Sequence, residues 1–144
     1  MPKTEKALWN SLKQKLPKKT HHQRLENRVS EGMPDVYMCI NGVVIWLELK
    51  IIKHSKVSVS KSQIAWHLGH SRCGGVSFFL LHEPSSGDVF LFDGGKVVEI
   101  HGSRIDALRP AALYEGNMSD FPAALRDAAR GAWLDALRPA SSDL

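Results

Sequence analysis

The sequence predicts a mixed α/β domain built around one sheet. Helical apolar spacings alternate with short apolar runs. The dipeptide Asn41-Gly42 divides two of those runs, Val36 to Ile40 and Val43 to Ile52. A capping box, Ser60-Lys61-Ser62-Gln63, opens a helix shortly after them. The resulting order is helix, strand, hairpin, helix, strand, hairpin, helix.

The first helix spans about Thr4 to Leu16: Thr4 is its N-cap, Leu8, Leu12 and Leu16 recur every four residues, and Pro17 stops it. Lys18 to Arg28 is polar and basic, with the weak alternation of a half-exposed strand, and Glu31-Gly32 reads as a turn. Asn41-Gly42 then joins a tight hairpin, because both central residues of a type I′ turn need positive φ. Lys53 to Val59 is a basic loop. The capping-box helix runs to about Arg72 and ends at Gly74-Gly75. Val76 to His82 is a strongly apolar, central strand. Asp88 to Phe92 and Lys96 to Ile100, joined through Asp93-Gly94-Gly95, read as a second hairpin. A last helix runs from Asp120 to Arg138, with Leu125, Ala128, Ala132 and Ala136 along one side.

With 144 residues the chain makes one domain, since halves of about seventy residues would each hold a weak core. Its 43% hydrophobic and 24% charged residues speak against disorder and coiled coil. The longest apolar runs, Val43 to Leu47 and Phe78 to Leu81, are too short to span a bilayer, and MPKTEKALWN has no apolar stretch of a secretory signal. Two cysteines, Cys39 and Cys73, exclude a disulfide framework and make a cytoplasmic setting the expectation. Charge is uneven: residues 1–61 carry twelve Lys/Arg against five Asp/Glu, a net of +7, and residues 62–144 carry seven against ten, a net of −3. The cationic half is the one to which a polyanion would be drawn, although many small proteins share so basic a pI, about 9.2 here, through surface lysines alone.

If Asn41-Gly42 is a two-residue loop, Ile40 pairs with Val43, Tyr37 with Trp46, and Asp35 with Glu48. Lys50 shares the face of Glu48. Two opposed carboxylates flanked by apolar runs are costly, and a shared proton, the Lys50 ammonium or a divalent cation would compensate. Mg²⁺ suits such hard oxygen donors. The plainer alternative is a surface ion pair of Glu48 with Lys50 on an edge strand. Glu5 heads the buried stripe of the first helix and is expected to point at the core, though a first-turn glutamate also complements the helix dipole. Glu26, between Arg24 and Arg28, is a further candidate or a salt-bridged residue.

The order Gly32-Met33-Pro34-Asp35 … Glu48-Leu49-Lys50 resembles the PD-(D/E)XK nuclease signature. The wider wording, Arg24-Leu25-Glu26-Asn27, Trp46 to Lys50 and Gln63-Ile64-Ala65-Trp66-His67, is similar to small phage-type nucleases of the VRR-NUC and Holliday-junction-resolvase groups. The resemblance covers roughly residues 5 to 82. It implies a restriction-endonuclease-like αβββαβ core over about residues 4–82, with the C-terminal hairpin and helix (about 86–140) added in a single domain. It further implies that Asp35, Glu48 and the main-chain carbonyl of Leu49 ligate Mg²⁺ or Mn²⁺, with Glu5 as an additional acid. Lys50 would orient or deprotonate the attacking water. Gln63 would be the helix glutamine of the VRR-NUC group, or simply the third residue of a capping box.

The activity so implied is a metal-dependent endonuclease, best read as a junction-resolving enzyme of phage type that acts on branched DNA as a homodimer, since a four-way junction needs paired nicks. Action on flaps, single strands or duplex, and a non-catalytic nucleic-acid-binding module, are the alternatives. Lys53, Lys56, Lys61, Arg24 and Arg28 are expected to hold the DNA backbone, and His67 to line the DNA groove. His67 and His70 lack a partner set for zinc, and Trp9, Trp46 and Trp133 are expected in the core, with Trp66 partly exposed.

Overall fold

A computed structural model describes residues 2–25 and 31–137 of the chain. Helix α1 (Glu5–Lys13) starts where the Thr4 hydroxyl accepts the Ala7 N–H at 3.1 Å. It stops a turn before the expected Leu16. The N–H groups of Lys15 and Leu16 reach back only three residues, to Leu12 and Lys13, in a tightened final turn before Pro17. Strand β1 (His21–Arg24) follows, then β2 (Val36–Ile40) and β3 (Val43–Ile51). Asn41 (φ 52°) and Gly42 (φ 81°) both take the left-handed conformation the tight turn requires. The register is the expected one: Ile40 faces Val43, Tyr37 faces Trp46, and the ladder ends with Val36 facing Leu47.

Helix α2 (Lys61–Arg72) carries the chain back so that β4 (Ser77–His82) pairs parallel to β3. Strand β5 (Val89–Asp93) returns antiparallel, and β6 (Tyr114–Gly116) closes a six-stranded sheet in sequential order. Among the described residues, only the central β3–β4 pair is parallel. The order α1, β1–β3, α2, β4 is the αβββαβ arrangement expected from the sequence. Helix α1 and the last helix, α5 (Phe121–Ala136), cover one face, where Leu8, Leu12, Phe121 and Leu125 meet Val36, Met38, Leu47 and Leu49. Two short helices, α3 (Val97–Gly102) and α4 (Ile105–Leu108), join α2 on the other face over Phe79, Leu81, Phe90 and Phe92.

The second predicted hairpin is not formed. Lys96 to Ile100 is helical instead, because the Asp93 carboxylate accepts the Gly95 N–H at 2.7 Å and caps a 3₁₀ turn, Gly94–Lys96, that runs into α3. Val97 and Ile100, three apart, both enter the core, so a short apolar run was helical spacing rather than alternation. The second neighbour of β5 is β6, only three residues long and without a readable pattern of its own. In α5, Leu125 is buried and Ala128 and Ala132 pack on the core, but Ala136 is exposed. Trp133 is 39% exposed rather than in the core, its indole N–H donating to the Val44 carbonyl at 2.8 Å.

Among the described residues, no helix is long and apolar enough to cross a membrane.

Candidate active site

Asp35 and Glu48 are both buried, at 4% and 0% exposure. Glu48 lies on β3, which is interior to the sheet between β2 and β4, so the surface ion pair on an edge strand is ruled out. Asp35 stands one residue beyond the β2–β3 ladder. Its Oδ2 accepts the Leu49 N–H at 2.9 Å, supplying the partner that a continued β2 would have offered. The Asp35 carbonyl accepts the Leu25 N–H at 2.8 Å. Backbone contacts on both sides therefore fix this carboxylate beside the Glu48–Leu49 segment.

The two readings of Gln63 coincide. Its Oε1 accepts the Ser60 N–H at 3.0 Å, completing the capping box, and also accepts the Lys50 ammonium at 2.8 Å. The start of α2 thus holds the lysine at the end of β3. The approach of the Gly32-Met33-Pro34-Asp35 segment to that helix start is equally close. Gly32 has φ +84°, and a Cβ there would lie 2.2 Å from the Ser62 carbonyl oxygen.

His67 departs from expectation. One turn beyond Gln63, it is fully buried, so it cannot line a DNA groove. Its Nδ1 lies 2.8 Å from Ser77 Oγ and its Nε2 3.5 Å from Glu48 Oε1. A carboxylate can only accept, so the Nε2 proton points at Glu48, and Nδ1 accepts from the Ser77 hydroxyl. The small size of Gly94 leaves room for this chain: a Cβ there would lie 2.0 Å from Ser77 Oγ and 2.9 Å from His67 Nδ1. The sequence offered one signal, the four-residue spacing of Gln63 and His67 that puts them on one helix face.

Burial, reinforced by the neighbouring His70, opposed by Asp35 and slightly reinforced by Lys50, lowers the His67 pKa to about 4. Unfolded, the same group titrates near its ordinary 6.5. Between these values the unfolded chain binds the extra proton, so stability is fully present above pH 6.5 and is lost as pH falls toward 4. Buried His82, also lowered by desolvation, acts in the same direction. The expected result for the metal-free protein is a rise in unfolding free energy across this window, with His67 contributing on the order of 3 kcal/mol. Urea midpoints of the wild type and His67→Gln, measured through the window, check it; equal slopes would contradict the assignment.

The remaining candidates fall around this centre. Glu5 is exposed, not directed at the core: it sits on the rim of a cleft of about 730 Å³ that is also lined by Lys50, Lys53 and Lys56. Lys53, Lys56 and Lys61 are exposed. Arg24 pairs with Val36, which puts it on the α1 side of the sheet, away from the carboxylates. Glu26 and Arg28 lie outside the described residues. Trp46, expected in the core, is half-buried.

Among the described residues no three His, Cys, Asp or Glu side chains come together as a ligand set, so Glu5 is not part of a preformed cage. Two buried carboxylates with a neighbouring main-chain carbonyl fit Mg²⁺ or Mn²⁺, which commonly take one or two carboxylates and complete their shell with water and phosphate oxygens.

No protein-family model and no curated protein matches the chain. Among solved structures it is similar to Archaeoglobus fulgidus Hjc, a Holliday junction resolvase from an archaeal hyperthermophile. That likeness has a TM-score of 0.49 and 14% identity, and covers 80% of this chain and 90% of the other.

Proposed function

We propose that this chain is a divalent-metal-dependent endonuclease that hydrolyses DNA phosphodiesters, with branched DNA as its substrate. The observation that carries the reading is the buried pair Asp35 and Glu48, with Lys50 held by Gln63 two residues further along the same strand. Burying two acids side by side is expensive, and a cation between them is the compensation that also suits phosphate chemistry.

Asp35, Glu48 and the Leu49 carbonyl are the groups that would hold Mg²⁺ or Mn²⁺. When bound, such an ion neutralises phosphoryl charge and acidifies water. The protein supplies the rest. Lys50, fixed by Gln63, orients the attacking water and meets the charge that develops on the phosphoryl oxygens. His67 holds Glu48 from beneath, and Ser77 holds His67. Lys53 and Lys56 across the cleft, and Lys61 at the start of α2, bind the backbone without reading sequence. Two nicks are needed to resolve a junction, so a pair of chains belongs to the proposal.

The test is to incubate the protein with a labelled four-way junction, a flap, a duplex and a single strand, each with Mg²⁺, Mn²⁺ or EDTA. Metal-dependent paired nicks in the junction are expected. Binding without cleavage under every metal condition would overturn the reading in favour of an accessory DNA-binding module.

A further inference from the structure

Beside the carboxylates, the same face of the sheet carries a row of aromatic rings that the proposed chemistry does not use. Side chains alternate along β2 and β3, so the cross-strand pair next to Asp35 and Glu48 on their own face is Tyr37–Trp46. Their ring centroids are 5.5 Å apart. From Trp46 the row continues to Trp66 of α2 at 6.0 Å, and His70 stacks on Trp66 at 4.6 Å with 20° between planes. In the other direction His21 of β1 lies 5.7 Å from Tyr37.

These rings are not core. His21 is exposed, and Tyr37, Trp46, Trp66 and His70 are half-buried. On the opposite face of the same strands Val36, Met38, Ile45 and Leu47 are at 0%. The helix layer packs over the β4 and β5 side chains of this face, and among the described residues Tyr37 and Trp46 on β2 and β3 stay half-buried.

We infer that this row is a stacking platform for unpaired bases of the DNA strand that is cut, and so that the bases next to the scissile phosphate are unpaired in the bound substrate, as where base pairs open at a branch point. The inference rests on the endonuclease reading and narrows its substrate. Two arguments select this occupant. The row is continuous with the carboxylate pair, so a strand whose phosphate lies at Asp35 and Glu48 has its neighbouring nucleotides over Tyr37 and Trp46. Three of its five rings, His21, Tyr37 and Trp46, belong to the part of the chain, residues 1–61, that holds the net charge of +7, and Lys61 opens the helix that carries the other two. Aromatic faces beside phosphate-binding cations are the combination that holds single strands, whereas the bases of a duplex are stacked on each other and offer no face.

The experiment measures affinity of the full chain, in EDTA, for a short oligothymidylate and for a blunt duplex. Tryptophan fluorescence of the unaltered protein is expected to be quenched by the oligothymidylate and not by the duplex. Trp66→Leu and Tyr37→Leu are each expected to lower the ratio of single-strand to duplex affinity about tenfold, and Trp66→Phe to restore most of it. An unquenched wild type, or variants whose affinity ratio stays at the wild-type value, overturns the platform. These outcomes separate from failure of the endonuclease reading: a quenched protein that cuts nothing with any metal sinks the chemistry and keeps the platform. A protein that cuts yet shows an unchanged ratio does the reverse.

Discussion

Asp35→Asn removes cleavage, to at most about a thousandth of the wild-type rate, while DNA affinity measured in EDTA stays at or above the wild-type level. Asparagine keeps the size of the side chain and can still accept the Leu49 N–H that Asp35 Oδ2 accepts at 2.9 Å. The fold is therefore retained, and only the negative charge is lost. Without a metal, that charge repels phosphate, so its removal leaves binding intact or improves it. Lys50→Ala is expected to lose activity to a comparable degree, about 10²- to 10⁴-fold, because it removes the group that addresses the water. It also leaves Gln63 Oε1 with the Ser60 N–H alone, a contact sufficient to keep α2 capped. Single-turnover cleavage of the junction beside anisotropy in EDTA measures both quantities. Either variant cutting within about tenfold of wild type would remove that residue from the site.

Gly32→Ala should be severely damaging, because the clash it creates is with backbone. The added carbon would lie 2.2 Å from the Ser62 carbonyl oxygen and 2.5 Å from the Ser62 carbonyl carbon, at a residue with φ +84°. Backbone atoms cannot rotate out of the way as a side chain would. Relief comes only from moving the first turn of α2, the turn that holds Gln63 and through it Lys50. A loss of about 3 kcal/mol or more in stability is expected, together with a fall in kcat under conditions where the variant is still folded. Gly42→Ala is the control. Its φ is +81°, but a Cβ there meets nothing within 4 Å, so it should cost only about 1 kcal/mol of conformational strain and leave kcat unchanged. Urea unfolding and junction cleavage on both variants make the comparison, and equal behaviour would show that the contact between Gly32 and α2 does not position the site.

Helix α2 shows where sequence reasoning succeeds and where it stops. Ser60 and Gln63 announce its start because a capping box is satisfied within four residues. The same stretch places Gln63 and His67 on one side of the helix. Nothing within the helix, however, says which side meets the sheet. His67 was accordingly expected at the surface, and only the packing of α2 over β4 brings it under Glu48 and against Ser77. Glu5 is the reverse case. Its angle on the helix matches the buried stripe, but it lies in the first turn, before the first buried position, Leu8, and is exposed.

The segment after β5 misled for a related reason. A run such as Val97 to Ile100 is too short for its period to decide between helix and strand. The Asp93 cap and the two buried positions three apart settled it as a helix. Trp46 was expected in the core because it is a tryptophan in an apolar strand, yet on its face it meets the rings of Tyr37 and Trp66 and stays half-buried.

By itself the sequence determined the turn at Asn41-Gly42, the register that follows from it, and hence the alternation that sets Glu48 and Lys50 on one face of β3, with Asp35 across from them. Those features depend on backbone preferences and on neighbours a few residues away. Tertiary structure alone decided which of these faces lies beneath a helix and which stays open: His67 became an internal support, Glu5 a rim residue, and Tyr37, Trp46 and Trp66 an accessible row. Burial is set by what packs over a surface, and that information is carried by residues far apart in the chain.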